Sequence, residues 1–421
     1  ELKRHQTHLR EAAASGNSTD DPAADWTDYA AAGVEDMAGL REAGIRALRI
    51  VQLHDDVYQF GLRGTINPNR EPDLAEAILK ARAAFRDKLA RPEVSKLVEG
   101  WDRARYNRNA TVAENLMFGN PVGDALVPER LAEHPYVLQV LDKVGLTDTF
   151  LKLGHQVAAT TVELFADLPP DHEFFQQFSF ISSEDLPLMQ ELLGRASKER
   201  LGELKAEDRA RLMSLPFKLI PDRHRLVQFD EELMARIVQA REVFASDLPE
   251  NLRHAVAFLD REKYSAVATI QDNILFGKVV YGQAQAAEMV SGLIGEVIDD
   301  LGLRNRVAMV GLNFECGIAG GRLTQAQRQK LAIARCIVKR PDLFILSDAT
   351  LPLDSASQGK VFEAILEEFR GRGIVWSLQR AQLASRFDRI LVMRSGRLVE
   401  QGGFDELDRE GTHFRELLAQ E

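Results

Sequence analysis

The sequence predicts an α/β fold carrying a large, mostly helical part, and three observations lead there. The first lies in Gly320 to Asp354, GGRLTQAQRQKLAIARCIVKRPDLFILSDATLPLD. Thr324 is placed to cap a helix, and Gln327 three residues on completes a capping-box pattern. Leu331, Ala334, Ile337 and Val338 then share one helical face. Arg340-Pro341 ends the helix, because the residue before a proline is pushed out of the helical region. The second observation is Leu343 to Leu346, an apolar run with the length of a buried parallel strand. It ends in Ser347-Asp348, two polar side chains at a strand's carboxyl end, where open α/β sheets place their ligands. The third is an internal repeat whose apolar residues recur at helical spacing.

At 421 residues the chain has room for two or three domains, and 45% hydrophobic with 28% charged residues is an ordinary globular balance. No apolar run approaches the roughly 18–20 residues that span a bilayer. The net charge of −11 argues against a nucleic-acid partner, which calls for a basic face. Cys316 and Cys336 are too few and too close for a disulfide framework; they fit a reducing cytoplasm and are expected to be small apolar fillers. The opening, ELKRHQTHLREAAASGNSTDDP, has neither a signal-peptide core nor a starting methionine, so the chain is expected to be a piece of a longer one. Residues 1–30 are expected to be a mobile polar lead-in.

The repeat is the clearest feature of the middle of the chain. WDRARYNRNATVAENLMFG from Trp101 aligns without gaps on LDREKYSAVATIQDNILFG from Leu259, with Thr111/Thr269, Asn115/Asn273, Phe118/Phe276 and Gly119/Gly277 among the identities. Upstream, Leu74, Ile78, Ala81, Phe85 and Leu89 recur as Leu233, Ile237, Ala240, Phe244 and Leu248. Downstream, VLDKVGL from Val140 recurs as VIDDLGL from Val297, and Gly154 answers Gly311. A duplicated helical unit is therefore expected at about 74–154 and 233–311, separated by a helical segment at 155–232. Within that segment EDLPLMQELLGRA and EDRARLMSLPF read as helices, and the aromatic patch HEFFQQFSF is expected to be core. After the central stretch come a helix over Lys360 to Phe369, a turn and strand over Gly371 to Leu378, a hairpin over Arg389 to Gly402, and a helical tail from Phe404 to Glu421.

The central stretch resembles the ATP-binding domain of ABC transporters, exporters in particular. That family's signature, of the form LSGGQ, opens a helix reading QRQRxAxAR; here QRQKLAIAR spans Gln327 to Arg335. A strand ending in Asp-Glu and a loop reading ATxxLD follow in the family, and ATLPLD spans Ala349 to Asp354. Gln379 stands where the family carries its switch histidine, and RILVMRSGRLVEQG matches its closing strands. The likeness covers roughly residues 259–421 well and earlier parts in fragments. Leu48 to Val51 would be a strand, GLRGTI would stand for the family's xFSGTI, and Gln52 is a Q-loop candidate whose spacing is off by several residues. The implied fold is a P-loop NTPase (ABC ATPase-like) core with a large helical insertion or duplicated helical unit. Its divisions are 31–154, a partial segment with the first repeat copy; 155–232; and 233–421, the ATPase-like domain.

The resemblance also implies a site, and the residues depart from it. ATP hydrolysis on this fold needs a phosphate loop, GxxxxGK[ST], and the sequence holds none; Gly277-Lys278 is the nearest approach. At the strand end Ser347 takes the place of the Mg²⁺-holding aspartate and Asp348 that of the water-polarising glutamate. A neutral oxygen suits a hard cation less well than a carboxylate, so Mg²⁺ is expected to be weak or absent. Gln379 can donate a hydrogen bond but carries no charge. In the signature, Leu323, Thr324 and Gln327 are kept, while Gln325 and Ala326 replace two glycines that admit the γ-phosphate of ATP. Asp354 matches the D-loop aspartate. The expected site is degenerate, hydrolysing slowly or not at all.

The function implied is the nucleotide-binding domain of an exporter with an impaired half-site, as a peripheral part on the cytoplasmic face of the inner (plasma) membrane. Its partners would be a membrane-spanning transporter domain, in the same or a separate chain, and a second ATP-binding domain. The alternative is a catalytically inert pseudo-ATPase acting as a structural or regulatory module. The repeated Asn-x-x-Phe-Gly positions read equally as membrane-subunit contacts and as capped helices filling a core.

Overall fold

The computed structural model describes residues 2–21, 24–165, 169, 180–196 and 201–420. All of HEFFQQFSF except Phe180 lies outside the described residues. The described residues include the strands β1 Val98–Gly100, β2 Gly119–Pro121, β3 Val256–Phe258, β4 Gly277–Val279, β5 Leu343–Ser347, β6 Gly373–Ser377, β7 Ile390–Arg394 and β8 Arg397–Gly402. Among the described residues they pair as β1–β4, β2–β3, β5–β6 and β7–β8, and only β5–β6 is parallel. The chain forms two units, Glu1–Val57 with Glu315–Glu421, and Tyr58–Phe314. This division differs from the one expected at 154 and 232, because the two repeat copies pack on each other.

In the first unit Asp36 caps the helix Met37–Ile50, its Oδ1 accepting from Gly39 N at 2.8 Å. Leu48 to Val51, expected as a strand, belongs to the end of this helix. Ile45, Leu48 and Val51 are buried three residues apart, the helical period, which outweighs the β-propensity of a four-residue apolar run. The helix packs on Gln325–Val338 and on Ser355–Glu368, where Arg46 pairs with Glu368 at 3.4 Å. Residues Leu2–Ser15, inside the expected lead-in, form a helix rich in strong helix formers. Cys336 is exposed and Cys316 half-buried, so neither is an interior filler; Cys336 lies off the buried Ile333, Ala334, Ile337 stripe of its helix.

Strands β5 and β6 pair from Leu343↔Gly373 to Ser347↔Ser377. One face carries Phe344 and Leu346, both buried, with the Phe344 ring 4.8 Å from that of Phe369. The other face carries Leu343, Ile345 and Val375, each more than half exposed. The β7–β8 hairpin turns at Ser395-Gly396, both at positive φ as a tight hairpin turn demands, and Ile390 and Val392 pack with Leu407 and Phe414. The C-terminal tail is two short helices, Phe404–Leu407 and His413–Ala419.

The second unit is built from the repeat. Pro72–Leu89 of the first copy packs on Ile270–Leu275 of the second, while Glu231–Ser246 of the second packs on Val112–Met117 of the first. The strands follow the same rule, β1 joining β4 and β2 joining β3. Each half of the unit therefore combines the opening of one copy with the close of the other. The exchange extends further than the sequence repeat: Ala206–Phe217, read as part of an intervening segment, packs on Thr147–Phe165 of the first copy. The halves are joined by two crossing loops, residues 101–111 and 259–269.

A buried arginine holds each loop. Arg241, 2% exposed, donates from Nη1 to the carbonyls of Asp102 (3.1 Å), Arg103 (2.7 Å) and Arg105 (3.0 Å). Its Nε and Nη2 bond the carbonyl and side-chain oxygens of Asn115 at 2.7 and 3.0 Å. Arg82 repeats the pattern on Asp260, Arg261, Lys263 and Asn273 at 2.6–3.1 Å. The guanidinium carbons sit 4.7 Å over the rings of Phe118 and Phe276 respectively. Burial draws the Arg241 pKa down to about 10, still well above neutrality. Arg241→Ala is expected to cost more than about 3 kcal/mol in urea unfolding, since several buried carbonyls lose their donor. Arg241→Lys is expected to restore little, because one ammonium cannot reproduce the planar fork.

Candidate functional site

The signature-like residues stand at the start of the helix Gln325–Val338. Thr324 is extended, and its Oγ1 accepts from Gln327 N at 3.2 Å while Gln327 Oε1 accepts from Thr324 N at 3.0 Å. The expected capping box is therefore present, satisfying two of the helix's free N–H groups. Leu323 is buried beneath it, Gln325 is exposed and Ala326 is half-buried. Gln327 also donates from Nε2 to Asp56 Oδ1 at 2.7 Å, and Lys330 Nζ donates to the Gln52 carbonyl at 3.0 Å. Gln52 thus serves here through its backbone, at a positive φ following the helix Met37–Ile50.

The strand ends form the second part. Because β5 and β6 are parallel and in register at Ser347↔Ser377, their carboxyl ends lie side by side. Ser347 and Asp348 emerge from one and Gln379 follows the other, all three exposed. Asp348 turns at φ 48°, and its carbonyl accepts from Leu351 N at 3.2 Å, starting the loop that runs to Asp354. Asp354 caps the helix Ser355–Glu368, with Oδ1 accepting from Ser357 N at 2.9 Å, and those bonds hold its pKa below the usual carboxylate value. Thr324 and Gln327 spend their side chains on each other and on Asp56. The structure brings the strand-end residues together and gives the helix-tip residues a capping role.

For a divalent cation the strand ends offer a carboxylate, a hydroxyl and a carboxamide. Among the described residues no group of three or more His, Cys, Asp or Glu is arranged to hold a metal.

The repeated motif does structural work. Thr111 and Thr269 cap their helices, with Oγ1 accepting from Glu114 N at 3.1 Å and Asp272 N at 3.0 Å. Asn115 and Asn273 are buried on the arginines, and the two phenylalanines lie beneath them. A Cβ on Gly119 or Gly277 would fall 2.8 Å from the Ala257 carbonyl oxygen or 2.6 Å from that of Glu99, so only glycine fits. Arg82 and Arg241 themselves were not singled out from the sequence. The available signal was an arginine following Ala81 and Ala240 in both copies of the helical stripe.

No family model matches the chain. Curated relatives do match part of it. The glutathione/L-cysteine transport system ATP-binding/permease protein CydD of Haemophilus influenzae is 32% identical over 187 residues, 44% of this chain and 30% of that protein. The ATP-dependent lipid A-core flippase of Xylella fastidiosa is 32% identical over 166 residues, 39% of this chain and 27% of the relative. The β-(1→2)glucan export ATP-binding/permease protein NdvA of Bradyrhizobium diazoefficiens is 34% identical over 170 residues, 40% and 27% respectively. The homologues of this chain are thus ABC exporter ATP-binding/permease proteins, matched at about 30% identity over their nucleotide-binding region. That homology implies a P-loop NTPase fold and a family that uses ATP with Mg²⁺. The chain spans under a third of the length of these relatives. No described helix is long and apolar enough to cross a membrane.

Thr324→Ala is expected to lower stability by about 1 kcal/mol, read from urea melts. Gln327→Glu keeps the capping acceptor but sets a carboxylate against Asp56. The new carboxyl's folded pKa is then raised, so its favourable protonated form is present at low pH and lost as pH rises. The Tm deficit against wild type should therefore be larger at pH 7 than at pH 4.

Proposed function

We propose that this chain forms part of the nucleotide-binding domain of an ABC-type exporter, with its own catalytic half-site impaired. The observation that carries the reading is the paired parallel strand end, where Ser347 and Asp348 emerge beside Gln379. In this reading Asp348 orients the attacking water, from a stem one methylene shorter than a glutamate's. Ser347 would offer a bound Mg²⁺ a single neutral oxygen where the family offers a carboxylate. Gln379 donates a hydrogen bond toward the terminal phosphate without carrying charge. When bound, Mg·ATP would supply the phosphoryl group and its charge-neutralising metal. Because positioning and electrostatics provide most of phosphoryl-transfer catalysis, each of these three replacements slows the step.

The helix tip at Thr324 contributes less than a glycine-rich one, since Gln325 and Ala326 add side chains between the N–H groups and an approaching phosphate. A membrane-spanning domain and a second ATP-binding domain complete the proposed assembly, at the cytoplasmic face of the inner membrane. The relatives' names give different cargoes, glutathione and L-cysteine, lipid A-core and a β-(1→2)glucan, so none is assigned to this chain.

The test is nucleotide binding and turnover by the full-length protein with Mg²⁺, before and after Ser347→Asp with Asp348→Glu. Wild type is expected to turn over slowly and the double variant at least tenfold faster, a barrier lower by about 1.4 kcal/mol. Fast wild-type turnover that the double variant leaves unchanged would refute the assignment of these positions.

A further inference from the structure

The parallel pair β5–β6 is covered on one face only. The helix Ser355–Glu368 connects the two strands and lies against that face, its Phe362 ring 5.1 Å from the ring of Trp376. On the opposite face Leu343, Ile345 and Val375 are 53%, 66% and 53% exposed. Ile345 and Val375 are partners across the ladder, so the three side chains make one continuous apolar row. The outer edge of β6 is free as well, since among the described residues β6 pairs with β5 alone. Leu378, just beyond β6, packs against the cluster that holds Ile390 and Val392 of β7, yet no ladder joins those two strands.

Parallel strands are joined by crossover helices, and sheets made of them are covered on both faces. Here the crossover from β5 to β6 supplies the cover for one face, and the other calls for a helix that belongs to a further strand. Two strands alone are marginal in water, so that cover has to be at hand as the strands form. A segment linked to them covalently acts at an effective concentration on the order of millimolar, which a separate partner protein does not reach. The curated relatives have the length for such a segment, because this chain spans under a third of each.

We propose that Leu343, Ile345 and Val375 form the docking face for a strand–helix segment of the same polypeptide that lies outside residues 1–421. The strand pairs with the free edge of β6, and the helix lays an apolar stripe along the exposed row. Occupancy turns a two-stranded, one-sided sheet into a covered one and fixes the strand ends from which Ser347 and Gln379 emerge. The inference rests on the parallel pair and its exposure, so it stands or falls apart from the nucleotide reading.

Cysteine labelling of the purified full-length protein tests it. With Cys316 and Cys336 replaced by serine, Ile345→Cys and, separately, Val375→Cys are reacted with a maleimide in the native state and after unfolding in urea. Met289→Cys, at a position 41% exposed in the other unit, gives the rate of an uncovered site. Cysteines at 345 and 375 are expected to react at least about tenfold more slowly in native than in unfolded protein, and equally so after dilution. The inference is overturned if both react in native protein as fast as the cysteine at 289. It is also overturned if their protection disappears on dilution, which would make a second copy of the protein the cover.

Discussion

Two guanidinium groups, Arg82 and Arg241, set the terms on which the larger unit of this chain can fold. A buried cation costs several kcal/mol in lost hydration. Each of these makes five hydrogen bonds to oxygens that would otherwise be stranded with it. At roughly 1.5–3 kcal/mol for a bond involving a charged group, the set outweighs the desolvation. The carbonyls they gather belong to the crossing loops, which carry the chain from one half to the other. Without a donor at that point, those loops would have to pass through the interior with unpaired carbonyls, which folded proteins avoid.

Other choices in the unit follow from the arginines. Phe118 and Phe276 end their helices at φ 44° and 40°, a conformation that ordinarily goes to glycine. The left-handed backbone costs about 1–2 kcal/mol for a residue with a Cβ, and a ring under a desolvated guanidinium returns about 2 kcal/mol. Phenylalanine is therefore tolerated where glycine would lose the stacking. The next residue then must be glycine, because β2 and β4 press its Cα against a neighbouring backbone. The Asn-x-x-Phe-Gly pattern is thus explained by packing: an acceptor for the arginine, a ring beneath it and a close strand contact. Trp101 N to the Phe276 carbonyl at 3.1 Å and Leu259 N to the Phe118 carbonyl at 2.9 Å close the same arrangement on both sides.

Local features were legible in the sequence and long-range ones were not. The Thr324–Gln327 capping box, the strand Leu343–Ser347 and the hairpin β7–β8 rest on neighbouring residues, and the structure has them where the pattern put them. The repeat was legible because identity needs no structure to be seen. Its exchange of partners was not, since Arg82 meets Asn273 across 191 residues and nothing local to either announces the other. Leu48 to Val51 misled because a short apolar run fits a strand and a helix equally, and the buried period of three decided for helix. At the candidate nucleotide site the sequence located Ser347, Asp348 and Gln379 at strand ends. It could not reveal that Gln327 would turn toward Asp56, a residue in another part of the chain.

The arginine-held crossing loops make the two halves of the repeat unit one cooperative body. Native-state hydrogen exchange in rising urea tests this most directly, followed at the amides of Trp101, Leu259, Val122 and Val280. Trp101 and Val280 extend the β1–β4 pair of one half, and Leu259 and Val122 extend the β2–β3 pair of the other. All four are expected to merge into a single opening with one urea dependence. Exchange of Val122 through a separate, cheaper opening that leaves Val280 protected would contradict it.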